Sequence, residues 1–299
     1  MKRLLVTGAG GMTGSEVALQ ASPGGWKVRP MMREELDITD AAAVDAAVQE
    51  FHPHAVINCA AYTAVDRAES EPEKAMAINS DGARNVARAA AAVEAPIIHI
   101  SSDYVFDGKS RTPYQVDSPT GPAGVYGRSK LAGEIAVAEE NNAAVIVRTS
   151  WVFSHQGSNF VRTMLRLGSE RDEVRVVNDQ RGRPTSAADL AMALVTVADA
   201  VLENREVAGV YHFANEGETT WFDFAKAIFE EAASHGAVKV PTVTPISTSE
   251  FPTAAKRPEY SVLDTDNFTH QFKLTPRSWL AALRDSMSLM LRDGLTVPQ

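Results

Sequence analysis

The chain is predicted to fold as a doubly wound α/β structure around a parallel sheet, with a smaller discontinuous α/β lobe beside it. Three observations lead there. Short β-branched or aliphatic runs alternate with longer Ala-rich segments of helical spacing, which is the rhythm of βαβ units. The first of these runs leads straight into a glycine-rich turn, Thr7-Gly8-Ala9-Gly10-Gly11-Met12-Thr13-Gly14. After Ser150 the alternation breaks, and Gly, Pro and aromatic residues intersperse Trp151 to Gly157, Asn178 to Thr185 and Pro241 to Pro258.

Taken in order, Arg3 to Thr7 reads as the first strand and Thr13 to Ala21 as the helix after it. Lys27 to Met31 is the second strand, and Asp40 is placed to cap a helix over Ala41 to Phe51. Ala55 to Cys59 follows as a strand, then one long helix over Pro72 to Val93. The set closes with strand Pro96 to Ser101, helix Tyr126 to Glu140 and strand Ala144 to Thr149. These five strands are nearly all apolar, as strands covered on both faces should be. Val174 to Asn178 and Val210 to Ala214 read as further strands, with the segment between them returning to the main sheet. Residues 1–150 plus about 174–214 are therefore expected to form a dinucleotide-binding domain, and about 151–173 plus 215–299 the lobe.

Composition narrows the function classes. The 299 residues are 44% hydrophobic and carry a formal charge of −9, so neither a nucleic-acid nor an anionic-membrane surface is expected. An anionic ligand must meet locally placed arginines. Cys59 is the single cysteine and has no internal disulfide partner. The first residues reach glycine after three consecutive aliphatic positions, too few for a signal-peptide core, and no run approaches a membrane span. A cytoplasmic protein, monomer or homodimer, is expected. The seven histidines show no ligand spacing.

The glycine turn opens a helix directly after a strand, where backbone N–H groups and the helix dipole attract phosphate. As G-x-G-x-x-G the motif fails, because Thr13 stands at the third glycine. As Gly8-x-x-Gly11-x-x-Gly14, with Met12 inside it, the spacing is that of short-chain dehydrogenases. At the end of the second strand a carboxylate would favour NAD and an arginine NADP; the sequence there is Met31-Met32-Arg33. NADPH is the expected cofactor with NADH still open, and Arg33 has a solvated-loop alternative. Asp37 and Ile38 stand where an adenine would be held, although Asp37 serves equally to cap a turn. Ala60 and Ala61 end the third strand with small side chains that let a cofactor lie flat. Thr63 follows in a loop, and Asn79 falls inside the long helix, where a buried amide can pin the neighbouring catalytic helix.

Ser102 and Asp103 end the fourth strand, and Tyr126-Gly127-Arg128-Ser129-Lys130 starts the helix before the fifth. Tyr and Lys at this spacing share one helix face. Carbonyl reduction needs a proton at oxygen as hydride reaches carbon, and a phenol is a poor acid near neutrality unless a cation lowers it. Lys130 is the expected cation, Tyr126 the proton donor, and Ser102 the hydrogen-bond donor to the substrate oxygen. A packed aromatic and a solvated lysine are the alternative.

On these residues the chain resembles the extended short-chain dehydrogenases with their Rossmann sheet, and among them the dTDP-4-dehydrorhamnose reductases. The likeness also rests on Glu35 to Asp40, Ala61 to Asp66, Ser102 to Phe106, Val125 to Glu134, Arg148 to Val152, Asn159-Phe160 and Arg183 to Thr185. It implies reduction of dTDP-4-dehydro-β-L-rhamnose to dTDP-L-rhamnose, with Ser102, Tyr126 and Lys130 as the catalytic set. It further implies that Asp103 and Asn159 meet the substrate, that Trp151 packs the apolar face of the deoxysugar, and that Arg183 and Arg257 hold the diphosphate. Some members of that family hold magnesium between glutamates; only Glu16 matches here, so no metal is expected. The alternatives are a reductase or epimerase of another 4-keto nucleotide sugar, and a non-catalytic NADP-binding regulatory subunit.

Overall fold

The computed structural model describes residues 1–236 and 239–292. The first half runs β1 (Lys2–Thr7), α1 (Met12–Ala21), β2 (Trp26–Met31), α2 (Ala41–Phe51), β3 (Ala55–Asn58), α3 (Val65–Ala68), α4 (Pro72–Met76), a π-helical segment Ala77–Gly82, α5 (Ala83–Ala92) and β4 (Ile97–Ser102). Then come α6 (Val125–Glu140), β5 (Val145–Thr149), β6 (Val152–Phe153), α7 (Phe160–Glu170), β7 (Glu173–Val177), β8 (Arg181–Gly182), β9 (Thr185–Ser186), α8 (Ala187–Glu203) and β10 (Gly209–His212). The chain continues through β11 (Thr219–Thr220), α9 (Trp221–Ser234), β12 (Thr242–Ile246), α10 (Asp266–Phe272) and α11 (Trp279–Arg292).

A six-stranded parallel sheet in the order β2-β1-β3-β4-β5-β10 forms the centre, as the alternating pattern predicts. Strand order reverses between β1 and β3, and the crevice beyond their carboxyl ends is where ligands of such sheets sit. Leu4, Val6, Ile98 and Val145 pack under α8 on one face; Leu5, Val56, Ile97 and Ile146 pack under α2 and α5 on the other. At these buried areas each aliphatic side chain contributes about 1.5–3 kcal/mol. β2 departs from the expectation of full cover: Lys27, Val28, Arg29 and Pro30 are partly or fully exposed because this strand ends the sheet, an edge that tolerates proline.

Asp40 caps α2 as expected, its carboxylate accepting from Ala43 N at 3.0 Å. Two other expectations are corrected. Pro72 to Val93 is not one regular helix, since the ladder widens to π geometry at Ala77–Gly82, around Asn79. Val174 to Asn178 does form a strand but does not return to the main sheet; β7 pairs in parallel with β12. Its buried Val174 and Val176 belong to a separate core with Phe153, Val161, Phe224, Ile228 and Leu283. Conversely, Phe268 and Phe272 of α10 pack against Tyr211 and Phe213, inside the core of the central sheet.

Candidate active site

A cavity of about 560 Å³ runs along the carboxyl ends of β1, β3, β4 and β5, within the size range of small-molecule sites. Of the residues singled out by sequence, Gly8, Gly11, Met12, Gly14, Arg33, Asp37, Ile38, Ala60, Ala61, Thr63, Ser102, Asp103, Tyr126, Lys130, Trp151 and Arg257 line it.

At one end the glycine turn brings backbone against backbone. Gly8 has φ +65, and a Cβ there would lie 2.6 Å from Ala60 N; one on Gly14 would lie 2.3 Å from Gly8 O. Gly11 caps α1 without a side-chain bond, so the first N–H groups of the helix open toward the cavity. This cradle fits a dinucleotide pyrophosphate, and a side chain at Gly8 or Gly14 would force its backbone segments apart. Arg33 lines the same end. The carboxylate of Asp37 is taken by Thr39, whose N and Oγ1 donate to Oδ1 at 2.9 and 2.8 Å, and those bonds hold it below the usual carboxylate range. The turn-capping alternative thus describes that carboxylate, while Ile38 packs against Gly82.

At the centre, α6 enters the site through its first turn. Glu69 Oε1 accepts from Val125 N at 2.8 Å in place of a local cap. This seats Tyr126 edge-on to Tyr104, ring centroids 5.4 Å apart, within reach of Ser102. Ser102 Oγ donates to Asp103 Oδ1 at 2.8 Å and accepts from Tyr104 N at 3.2 Å. Lys130 Nζ donates to Ile100 O at 2.7 Å. Burial dominates the electrostatics. It draws Lys130 down to about 8, against the pull of Glu134 and Cys59, and pushes Asp103 up to about 6. Burial also raises the Tyr126 phenol above its ordinary value, with Ser102 opposing and Asp103 and Tyr104 adding to the rise. Sequence reasoning expects Lys130 to lower that phenol; in the protein alone the lysine is bonded to strand β4 and the phenol goes up.

At the far end Arg257 reaches the cavity from the loop before Tyr260. Its Nη2 donates to Asp66 Oδ2 at 2.7 Å and its Nη1 to Tyr104 Oη at 3.1 Å. Trp151, at φ 49, stacks on Trp221 with ring centroids 3.7 Å apart and planes 9° from parallel. Gly182 approaches the same indole so closely that a Cβ would fall 2.5 Å from Cε2. Trp151 lines the cavity with one face of its indole taken by Trp221. Trp221 also lines the cavity and was missed by sequence reasoning, since no local pattern tells which cavity a tryptophan meets.

Three expected residues stand outside the cavity lining. Asn79, 1% exposed, accepts from Tyr62 N at 2.8 Å and donates to Tyr62 O and Ser129 Oγ at 3.0 and 2.9 Å. Its amide joins the loop after β3 to the helix bearing Tyr126. Asn159 caps α7 through Arg162 N and donates to Ser154 O, which consumes its amide locally. Arg183 points toward Thr265 Oγ1 at 3.5 Å, and its carbonyl accepts from Ser150 Oγ at 2.7 Å.

Comparisons with known proteins bear on this geometry. The family model described as RmlD substrate binding domain matches residues 1–291. A dTDP-4-dehydrorhamnose reductase of Streptomyces griseus is 45% identical over 298 residues, covering 99% of this chain and 97% of that protein. The crystal structure of a dTDP-4-dehydrorhamnose reductase from Bacillus anthracis in complex with NADP superposes with a TM-score of 0.90 at 41% identity, covering 97% of this chain and 100% of that one. A UDP-glucose 4-epimerase from Brucella ovis in complex with NAD shares the fold, with a TM-score of 0.78 at 20% identity.

Proposed function

The chain belongs to the family of the RmlD substrate binding domain, that of the dTDP-4-dehydrorhamnose reductases, and from that premise we propose how its residues carry out the reduction. The reaction is conversion of dTDP-4-dehydro-β-L-rhamnose to dTDP-L-rhamnose with NADPH. One observation carries the assignment of roles: Ser102, Tyr126 and Lys130 meet in one cavity with the glycine cradle at its other end.

Bound NADPH supplies the hydride for C4. The chain's own task is to hold the ketone and deliver a proton. Tyr126 Oη donates that proton to the C4 oxygen, and its high phenol value keeps the proton in place until the oxygen becomes basic. Ser102 has one hydrogen, which rests on Asp103 Oδ1 in the protein alone. When the ketone enters, the hydroxyl turns this hydrogen to the C4 oxygen and stabilises its growing charge. Lys130, a cation lining the same cavity, is assigned to favour the phenolate left after transfer. Arg257, already oriented by Asp66 and Tyr104, meets the diphosphate as a charge-assisted donor. Trp151 and Trp221 wall the sugar end with apolar rings.

The lobe built on β7, β12, α7, α9 and α11 is assigned to the nucleotide sugar, and the central sheet to the dinucleotide. No helix among the described residues is long and apolar enough to cross a membrane. We place the enzyme in the cytoplasm, as a monomer or homodimer.

The test is loss of reduced-nicotinamide absorbance with a panel of dTDP-, GDP- and UDP-4-keto sugars. The rhamnose precursor is expected to be preferred, and Tyr126→Phe to lower kcat by about 10²–10⁴-fold. A different preferred sugar would displace the substrate alone. Unchanged turnover in Tyr126→Phe would remove its role as proton donor.

A further inference from the structure

Behind the catalytic side chains lies an ionic group to which the reductase reading gives no task. Glu134, one helical turn after Lys130 on α6, is 4% exposed. Its carboxylate accepts from Arg148 Nε at 2.9 Å and from Arg148 Nη2 at 2.7 Å, and also from the Ser101 hydroxyl. Arg148 is 5% exposed, and its Nη1 donates to Val116 O at 3.1 Å. Two ions buried in this way gain little stability over a well-packed apolar pair, so stability is a weak reason for their presence. Their location is more telling. Arg148 stands opposite Ser101 in the β4–β5 register, and Lys130 donates to Ile100 O, the residue before Ser101. The pair thus clamps the helix carrying Tyr126 and Lys130 onto the strand that ends in Ser102.

We propose that Glu134 and Arg148 are positioning residues for Lys130: the pair fixes the seat of the ammonium, and Glu134 supplies the negative charge that faces it. This rests on the reductase reading of the same site. The other ionisable groups around Lys130 do not substitute for that charge. Cys59, after β3, is pushed up to about 12 and stays a thiol, and His99 on β4 is held neutral by burial. Tyr126 on α6 keeps its proton, and the π-helical segment contributes the uncharged Asn79. Asp103, after β4, exerts its charge on Tyr126 rather than on Lys130, while His212 on β10 sits neutral beyond Arg148. Glu134 is the first group opposing the downward pull of burial on Lys130. If its charge is removed, Arg148 remains as a bare cation, and both changes drive the ammonium to lose its proton.

The readout is the alkaline limb of the kcat/KM profile against pH. In Glu134→Gln the limb is expected to move to lower pH by about one unit. Adding Arg148→Gln should move it back toward wild type, because the surviving cation is gone. A merely architectural pair would lower kcat/KM evenly at every pH, and the double variant would then recover nothing. An unmoved limb in Glu134→Gln overturns the proposal. If that variant does not fold, Arg148→Gln and the double variant differ only at Glu134, and the limb must again lie lower where the carboxylate is missing. Wild-type turnover separates the two readings. No turnover of any 4-keto sugar removes the reductase roles and this pair's task together, whereas normal turnover with unmoved limbs removes only the task of the pair.

Discussion

A Cβ on Gly14 would sit 2.3 Å from Gly8 O and 2.9 Å from Ala9 Cα, backbone atoms that cannot swing aside. Gly14→Ala should therefore push α1 off the turn, lowering stability by about 1–3 kcal/mol and weakening NADPH binding; melting curves with and without the dinucleotide read both. That constraint was visible in the sequence, because glycine at such spacing has few other uses. Lys130 also makes a prediction for the wild-type enzyme. With its value near 8, kcat/KM for reduction should hold below that pH and fall as pH rises through it, since the ammonium is lost before the phenol ionises. The aromatic pair was not legible. A sequence shows two tryptophans far apart in the chain and says nothing of which face each presents. Trp221→Ala uncovers one face of Trp151, and the expected result is a several-fold rise in KM for the sugar with a smaller change in kcat.

The elements of the central sheet follow from periodicity and apolar runs, which is why β1, β3, β4 and β5 stand close to where the sequence puts them. The π-helical segment could not be found that way. Its cause is tertiary: the wide turn at Ala77–Gly82 coincides with Asn79 reaching Tyr62 and Ser129, and such bulges gather at functional sites. Asn79→Ala would strand the Tyr62 N–H and carbonyl in a buried place, at a cost of about 1–3 kcal/mol measurable by urea unfolding. The strand at Val174 was legible from its β-branched residues, but its sheet was not. Its partner, Thr242–Ile246, lies in a stretch whose prolines read as irregular, and pairing between distant segments leaves no local mark. For the same reason the packing of α10 under the main sheet was invisible, since two phenylalanines fit either core.

Across the molecule, acid stability is set by buried groups that oppose one another. His212 is held down at about 3 and His99 well below its ordinary 6.5, both through burial. As pH falls below 6.5 the unfolded chain binds those protons and the folded chain does not, so stability declines by up to roughly 1.4 kcal/mol per unit for each group. Asp103, pushed up to about 6, acts in reverse: the folded chain takes its proton first, adding stability as pH drops from 6 toward 3.8. Two imidazoles outweigh one carboxyl, and the urea midpoint is expected to be lower at about pH 4.5 than near neutrality. The order of the central sheet has a further consequence, during synthesis. β5 gains its outer neighbour only when Gly209–His212 arrives, and Phe268 and Phe272 seal that side later still. From the moment Thr149 leaves the ribosome until His212 follows, the nascent chain carries an open edge on a strand that is buried along its whole length in the folded protein, and that interval is when a chaperone would have the most to protect.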